Sequence, residues 1–177
     1  SQVRDFNWLK CQVSSDAHCI LTDVTSSMAV LGLHGPNSRS FLQSLTHEDM
    51  SNEAFPFGTS REIDLGYAFV RASRISYMGE LGWELYIPTE FSLSVYNNIV
   101  EVGVENDLKY AGAHAMNSLR IEKAFRHWGH DITDKETPLE AGLEFAVDWN
   151  KSQSFIGRDA LIRQKEEGIK RCLVQFL

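Results

Sequence analysis

Cysteine is scarce in this sequence. Cys11, Cys19 and Cys172 are an odd number, with no Cys-x-x-Cys pair and no histidine nearby at metal-ligating spacing. That pattern excludes a disulfide framework and points to a reducing compartment. Basic charge is also in deficit, 17 Lys and Arg against 24 Asp and Glu, for a net charge of −7. The basic residues come in pairs, Arg71 with Arg74 and Lys170 with Arg171, rather than in stripes, so nucleic acid is not expected as a partner. A small anionic ligand stays open, because one well-placed arginine outweighs a distant acidic surface at physiological ionic strength. No run approaches the ~18 to 20 apolar residues of a membrane-spanning helix, and SQVRDFNWLK carries no apolar signal core, so no membrane partner is expected. The His127-x-x-His130 spacing falls where a helix is ending, and reads as a structural or solvated pair before it reads as a metal site.

What is present is a hydrophobic fraction of 43% over 177 residues, enough for one globular unit or two small lobes sharing a core. Residues 1–12 read as a helix with Phe6 and Leu9 on one side. Two short apolar strands are expected at Ile20 to Val24 and Met28 to Leu33. Pro36 then opens a helix that sends Phe41, Leu42 and Leu45 to the core, with Gly35 or Asn37 near its cap.

After a loop from Ser51 to Phe57, strand patterns cover Thr59 to Leu65, Tyr67 to Tyr77 and Gly82 to Ile87. Pro88 and Thr89 end the last strand and open a helix carrying Phe91, Val95, Ile99 and Val102, and a second helix is expected from about Ala111 to Arg126. Phe145, Val147 and Trp149 alternate as a strand does; Gly157 to Gln164 is a short helix stopped by Gly168. The closing RCLVQFL reads as a core strand, and such a strand with no cover is expected of part of a longer chain. Antiparallel strands with packed helices make the fold class α+β.

The stretch SYMGELGWELY, Ser76 to Tyr86, is the candidate site. A hairpin around its two glycines, with Tyr77 opposite Glu84, would put phenol and carboxylate on one face and send Trp83, Leu85 and Ile87 to the core. A carboxylate held on a strand offers two acceptor oxygens in a fixed plane. That suits bidentate recognition of an amidine-like edge, such as the amino-pyrimidinone end of a pterin. The competing reading is that Glu84 caps a hydrogen-bond network or faces solvent, and Glu80 is a solvated turn acid.

Four motifs in order, SYMGELGWELY, AMNSLRIEKAFRHWG, PLEAGLEF and FIGRDAL, resemble the folate-binding aminomethyltransferase family of the glycine cleavage system. QVRDFNWL, SNEAFPF, Trp83-Glu84 and IEKAFRHW are similar to the C-terminal region of FAD-dependent sarcosine and dimethylglycine dehydrogenases. The resemblance implies an aminomethyltransferase-like folate-binding fold in partial form over residues 1–170, with 171–177 beginning a C-terminal β-barrel domain.

It also implies an oxidoreductase role: an N-methyl amine is oxidised on FAD in an absent N-terminal domain, and the carbon passes to tetrahydrofolate to give 5,10-methylenetetrahydrofolate. Tyr77 and Glu84 match the family's folate-lining positions. Arg120 is a further folate-binding candidate, with a structural ion pair to Glu122 or another acid as its alternative. No catalytic residue is expected here, because the family's Asp lies upstream of Ser1, and the fragment alone is expected to be inactive. Met116-Asn117 replaces the Arg-Asp of glycine-cleavage enzymes and matches the dehydrogenase branch. A mitochondrial matrix location and an electron-transfer flavoprotein partner for the full-length parent follow from the resemblance alone. Two alternatives accompany it: a regulatory module similar to the pyruvate dehydrogenase phosphatase regulatory subunit, and a glycine-cleavage aminomethyltransferase.

For the other motifs, Glu140 is a minor ligand candidate, Gly157 is read as permitting close backbone approach beside packed Phe155 and Leu161, and core burial is expected for Phe125 and Trp128, with the floor of the folate cavity as their alternative.

Overall fold

The computed structural model describes residues 2–176, which form two compact units: 2–76 with 80–110, and 77–79 with 111–176. The fold is α+β. Among the described residues no helix is long and apolar enough to cross a membrane.

The first unit is built on four antiparallel strands, β1 (Met28–His34), β2 (Ser60–Leu65), β3 (Ala68–Ser73) and β4 (Gly82–Pro88), in the order β1-β4-β3-β2. Strict alternation makes one face of this sheet apolar. Ile63, Leu65, Ala68, Val70, Ala72, Trp83, Leu85 and Ile87 are buried on it. Two helices contact the central strand β4: α2 (Ser38–Gln43), through buried Phe41 and Leu42, and α3 (Ser92–Glu105), through Val95 and Ile99 at the i, i+4 spacing of a helix stripe. Strand β4 is therefore the one with least solvent access.

Trp83 is the largest fully buried side chain, set edge-on to Phe55 at 6.0 Å. The guanidinium groups of Arg39 and Arg74 lie 5.5 and 5.8 Å from its ring. Arg74 also donates to the Phe55 carbonyl, and Arg39 to the Met50 carbonyl and Asn52, so the loop bearing Phe55 is tied down around the indole. Replacing such a ring by alanine costs about 3–5 kcal/mol.

Several expectations are corrected here. Helix α1 (Gln2–Gln12) forms, but it buries no residue. Ile20 to Val24 is irregular, with Ile20 83% exposed: its apolar run finds no neighbouring strand, and a strand without ladder partners leaves its backbone groups to solvent. Strand β3 stops at Ser73, four residues short of the expected Tyr77. After a last cross-strand bond from Arg74 N to Thr59 O, Ile75 N donates to Ser73 O, a tight turn that takes the chain out of the ladder.

In the second unit α4 (Ala113–Glu122) ends well before Arg126, because Ala124 adopts a left-handed φ of 55° that no helix continues through. Phe125 and Trp128 follow this break and are exposed, so the burial expected of them is overturned. Residues 144–146 form a single 3-10 turn in place of the expected strand, and Phe145 is 84% exposed. Helix α5 (Arg158–Glu167) begins after Gly157 and stops at Gly168. Gly157 serves conformation rather than close approach. Its φ is 90°, and nothing lies within 4 Å of where a Cβ would stand. Residues 171–176 form no strand; Leu173 N donates to Glu140 O, and Arg171 reaches the carboxylates of Glu136 and Glu140. Leu177 lies outside the described residues.

Candidate functional site

The outward face of the first unit's sheet carries the polar side chains of the candidate site. On β4 the residues between Trp83, Leu85 and Ile87 are Glu84 and Tyr86, both half-buried, and the hydroxyl of Tyr86 donates to Glu84 Oε2 at 2.7 Å. Glu84 Oε1 accepts no hydrogen bond among the described residues, so the carboxylate is oriented through one oxygen and free at the other. The Glu84 bond, then burial, raise the Tyr86 phenol above its ordinary pKa of 10.0, which keeps it a donor at neutral pH.

Tyr86 was missed in the sequence reading. The signal was its spacing of two from Glu84, which places both on one strand face.

Register supplies the neighbours. Glu84 stands opposite Ser73 on β3 and opposite Gly32 on β1. The expected pairing of Tyr77 with Glu84 is thus replaced by Ser73 with Glu84, because the ladder ends at Ser73. Exposed Met28, Val30 and Phe69 complete the same face.

His34, one pleat further along β1, pairs with Gly82. Its pKa lies below the ordinary 6.5 because burial opposes the charged form, an effect that the Glu84 carboxylate only partly offsets.

Tyr77 belongs to the second unit. Its hydroxyl donates to the Arg126 carbonyl at 3.2 Å, and its ring meets that of His127 edge-on at 6.1 Å. The rings of His127 and His130 lie 4.5 Å apart. Among the described residues no three potential metal ligands converge.

Arg120 is engaged within the protein, 4% exposed. Its Nε and Nη2 donate to Asn117 Oδ1 at 2.8 and 2.6 Å, and Nη1 donates to the Phe125 carbonyl at 2.8 Å and to Asp131. Burial alone would raise the Asp131 carboxyl, but the His127 amide and the Arg120 guanidinium outweigh it and hold the group below its ordinary 3.8. Four of the five guanidinium N–H bonds are thereby spent, two on Asn117 within α4 and two on the turn after it. The ion pair is with Asp131, not with Glu122.

Glu140 is likewise scaffold. It accepts from Thr137 N at 3.0 Å while Thr137 Oγ1 accepts from Glu140 N at 3.2 Å, a reciprocal capping box, and its other oxygen takes Arg171. An open cavity of about 990 Å³ in this unit, between Pro138, Val147 and the α5 residue Leu161, contains none of the candidate residues.

Residues 1–151 match the GCVT N-terminal domain family. Human mitochondrial dimethylglycine dehydrogenase is 42% identical over 98% of the chain, which corresponds to 20% of that relative's length. The mouse mitochondrial pyruvate dehydrogenase phosphatase regulatory subunit is 40% identical over 99% of the chain and 20% of its own length. Among solved structures, the glycine cleavage system aminomethyltransferase T of Bartonella henselae is similar with a TM-score of 0.68 and 26% identity, covering 82% of the chain and 38% of that protein. The chain spans about a fifth of the length of the two curated relatives.

Proposed function

The chain belongs to the GCVT N-terminal domain family, and on that premise we propose that it is the tetrahydrofolate-binding part of a flavin-dependent dehydrogenase acting on sarcosine, dimethylglycine or a similar N-methyl amine. The observation that carries this reading is Glu84: a carboxylate on a central strand, oriented by Tyr86 through one oxygen and open at the other. Two acceptor oxygens in a fixed plane complement the paired donors of a pterin's amino-pyrimidinone edge, so the acceptor pair fits the ligand. When bound, tetrahydrofolate supplies the nitrogen that accepts the one-carbon unit, giving 5,10-methylenetetrahydrofolate. The contribution of these residues is to bind and orient the pterin. Tyr77 stands apart: it is supported as a folate-lining position by the family motif alone and lies in the second unit. Arg120 is not included, because four of its five N–H bonds are occupied. FAD, the amine site and an electron-transfer flavoprotein contact belong, on this reading, to parts of the protein outside the chain, and a mitochondrial location is supported by the names of the relatives.

A second reading, a non-catalytic regulatory module, is supported by 40% identity to the phosphatase regulatory subunit, nearly that to the dehydrogenase. Retention of Trp83-Glu84 favours the dehydrogenase. The test is Glu84→Ala in the full-length protein, followed by folate titration and by flavin reduction with amine. Loss of one charge-assisted bidentate contact should weaken folate by about 1.5–3 kcal/mol with amine oxidation retained. Unchanged folate affinity overturns the site, and a full-length protein with no flavin absorbance moves the regulatory reading ahead.

A further inference from the structure

We infer that His34 is a further ligand-binding residue of the Glu84 site, donating from Nε2 to an acceptor beside the donor edge that Glu84 holds. This rests on the folate reading and deepens it: the acceptor is the carbonyl oxygen at C4 of the pterin.

The register sets the positions. His34 pairs with Gly82 and Gly32 pairs with Glu84, so His34 and Glu84 are diagonal neighbours on one face, within reach of long side chains. Glycine at both intervening positions leaves room for the imidazole to lie across the seam between β1 and β4. A Cβ on Gly82 would stand 2.2 Å from His34 Nδ1, and one on Gly32 would stand 3.1 Å from Nε2. Gly82 lies in an ordinary strand conformation, so it is a glycine for space. The ring fills what two missing side chains leave, and that fixes its orientation.

The protonation state follows from the surroundings. Nδ1 is buried with no hydrogen-bond partner among the described residues. Burial favours the neutral ring, which carries one N–H. An orphaned buried N–H is rarer and more costly than an under-satisfied acceptor, so the hydrogen belongs on Nε2. The face then presents the two carboxylate oxygens of Glu84 and next to them an N–H. Tyr86 occupies one of about four lone-pair sites on that carboxylate and leaves the others. The complement of acceptor, acceptor, donor is donor, donor, acceptor. A pterin presents that order along one edge as its 2-amino group, N3–H and C4 carbonyl.

The test compares tetrahydrofolate with its reduced 4-amino analogue, in which an amino group replaces the C4 oxygen and N3 carries no hydrogen, as ligands for the full-length protein. His34→Asn keeps an amide near the Nδ1 position and lacks Nε2; His34→Gln reaches the Nε2 position with an N–H. His34→Asn should weaken tetrahydrofolate about tenfold, the worth of one hydrogen bond, and leave the analogue within about twofold, so that the preference for the 4-oxo ligand falls about tenfold while the part owed to N3–H and Glu84 stays. His34→Gln should restore most of that preference. If both variants keep the wild-type preference while Glu84→Ala loses folate, the role of His34 is overturned and the folate reading stands. If the wild-type protein binds neither ligand, the folate reading falls and takes this inference with it.

Discussion

Tyr86 donates its phenolic hydrogen to Glu84 Oε2 across 2.7 Å, from two residues further along the same strand. The bond selects one orientation of the carboxylate before any ligand arrives, which reduces the ordering that binding must impose. Tyr86→Phe keeps the ring and removes that restraint. Folate affinity in the full-length protein should fall about three- to tenfold, in line with roughly 0.5–1.5 kcal/mol for one hydrogen bond, with a small change in Tm because both groups are half-solvated. Isothermal titration beside a thermal melt separates the two effects.

Gly82→Ala is expected to destabilise the first unit by about 1–3 kcal/mol as an overpacking change. The new Cβ would meet His34 Nδ1 at 2.2 Å and the Leu33 carbonyl at 2.4 Å. A side chain can rotate away and a paired backbone cannot, so His34→Ala added to Gly82→Ala should recover only part of the loss. A double-mutant cycle by urea denaturation reads this directly. Full recovery would mean that the backbone contact relaxes freely.

Arg120→Ala should cost on the order of 2–4 kcal/mol, because it strands Asp131, the Asn117 amide oxygen and the Phe125 carbonyl together. Arg120→Lys should recover little, since an ammonium cannot reproduce the planar fork. Folate affinity of the protein that remains folded should not change. A selective loss of polyglutamylated folate binding, without destabilisation, would return Arg120 to the ligand.

Two groups set the acid limb of stability in opposite regions of pH. The folded-state pKa of Asp131 is depressed, so its stabilisation is full above the unfolded value near 3.8 and is lost as pH falls through the lower folded value. The folded-state pKa of His34 is depressed as well, but for a base this means that folding releases a proton. Stability is therefore unaffected above about pH 6.5, declines as pH drops below it, and levels off under the folded value. Urea midpoints between pH 3 and 8 should flatten at the acid end in Asp131→Asn and around pH 6 in His34→Gln.

The particular elements show where local pattern suffices. Gly82 to Ile87 alternates so strictly that Trp83, Leu85 and Ile87 read as inward and Glu84 as outward from the sequence, and α3 is legible from its stripe of Val95 and Ile99. Ile20 to Val24 and RCLVQFL have strand composition and form no strand. A strand's hydrogen bonds go to another segment, and composition does not say whether that segment is in position.

The sequence by itself determined the α+β class, the family, the helices and the side chains that share a strand face, because a helix closes its hydrogen bonds locally and a pleat alternates with a period of two. Only the tertiary structure decided that Ser73 and Gly32 flank Glu84, that His34 lies across Gly82, and that Arg120 is spent on Asp131. Each of these is a meeting of segments distant along the chain. Register between strands and the partner of a buried charge are set by packing across the whole unit, which no short stretch of sequence contains.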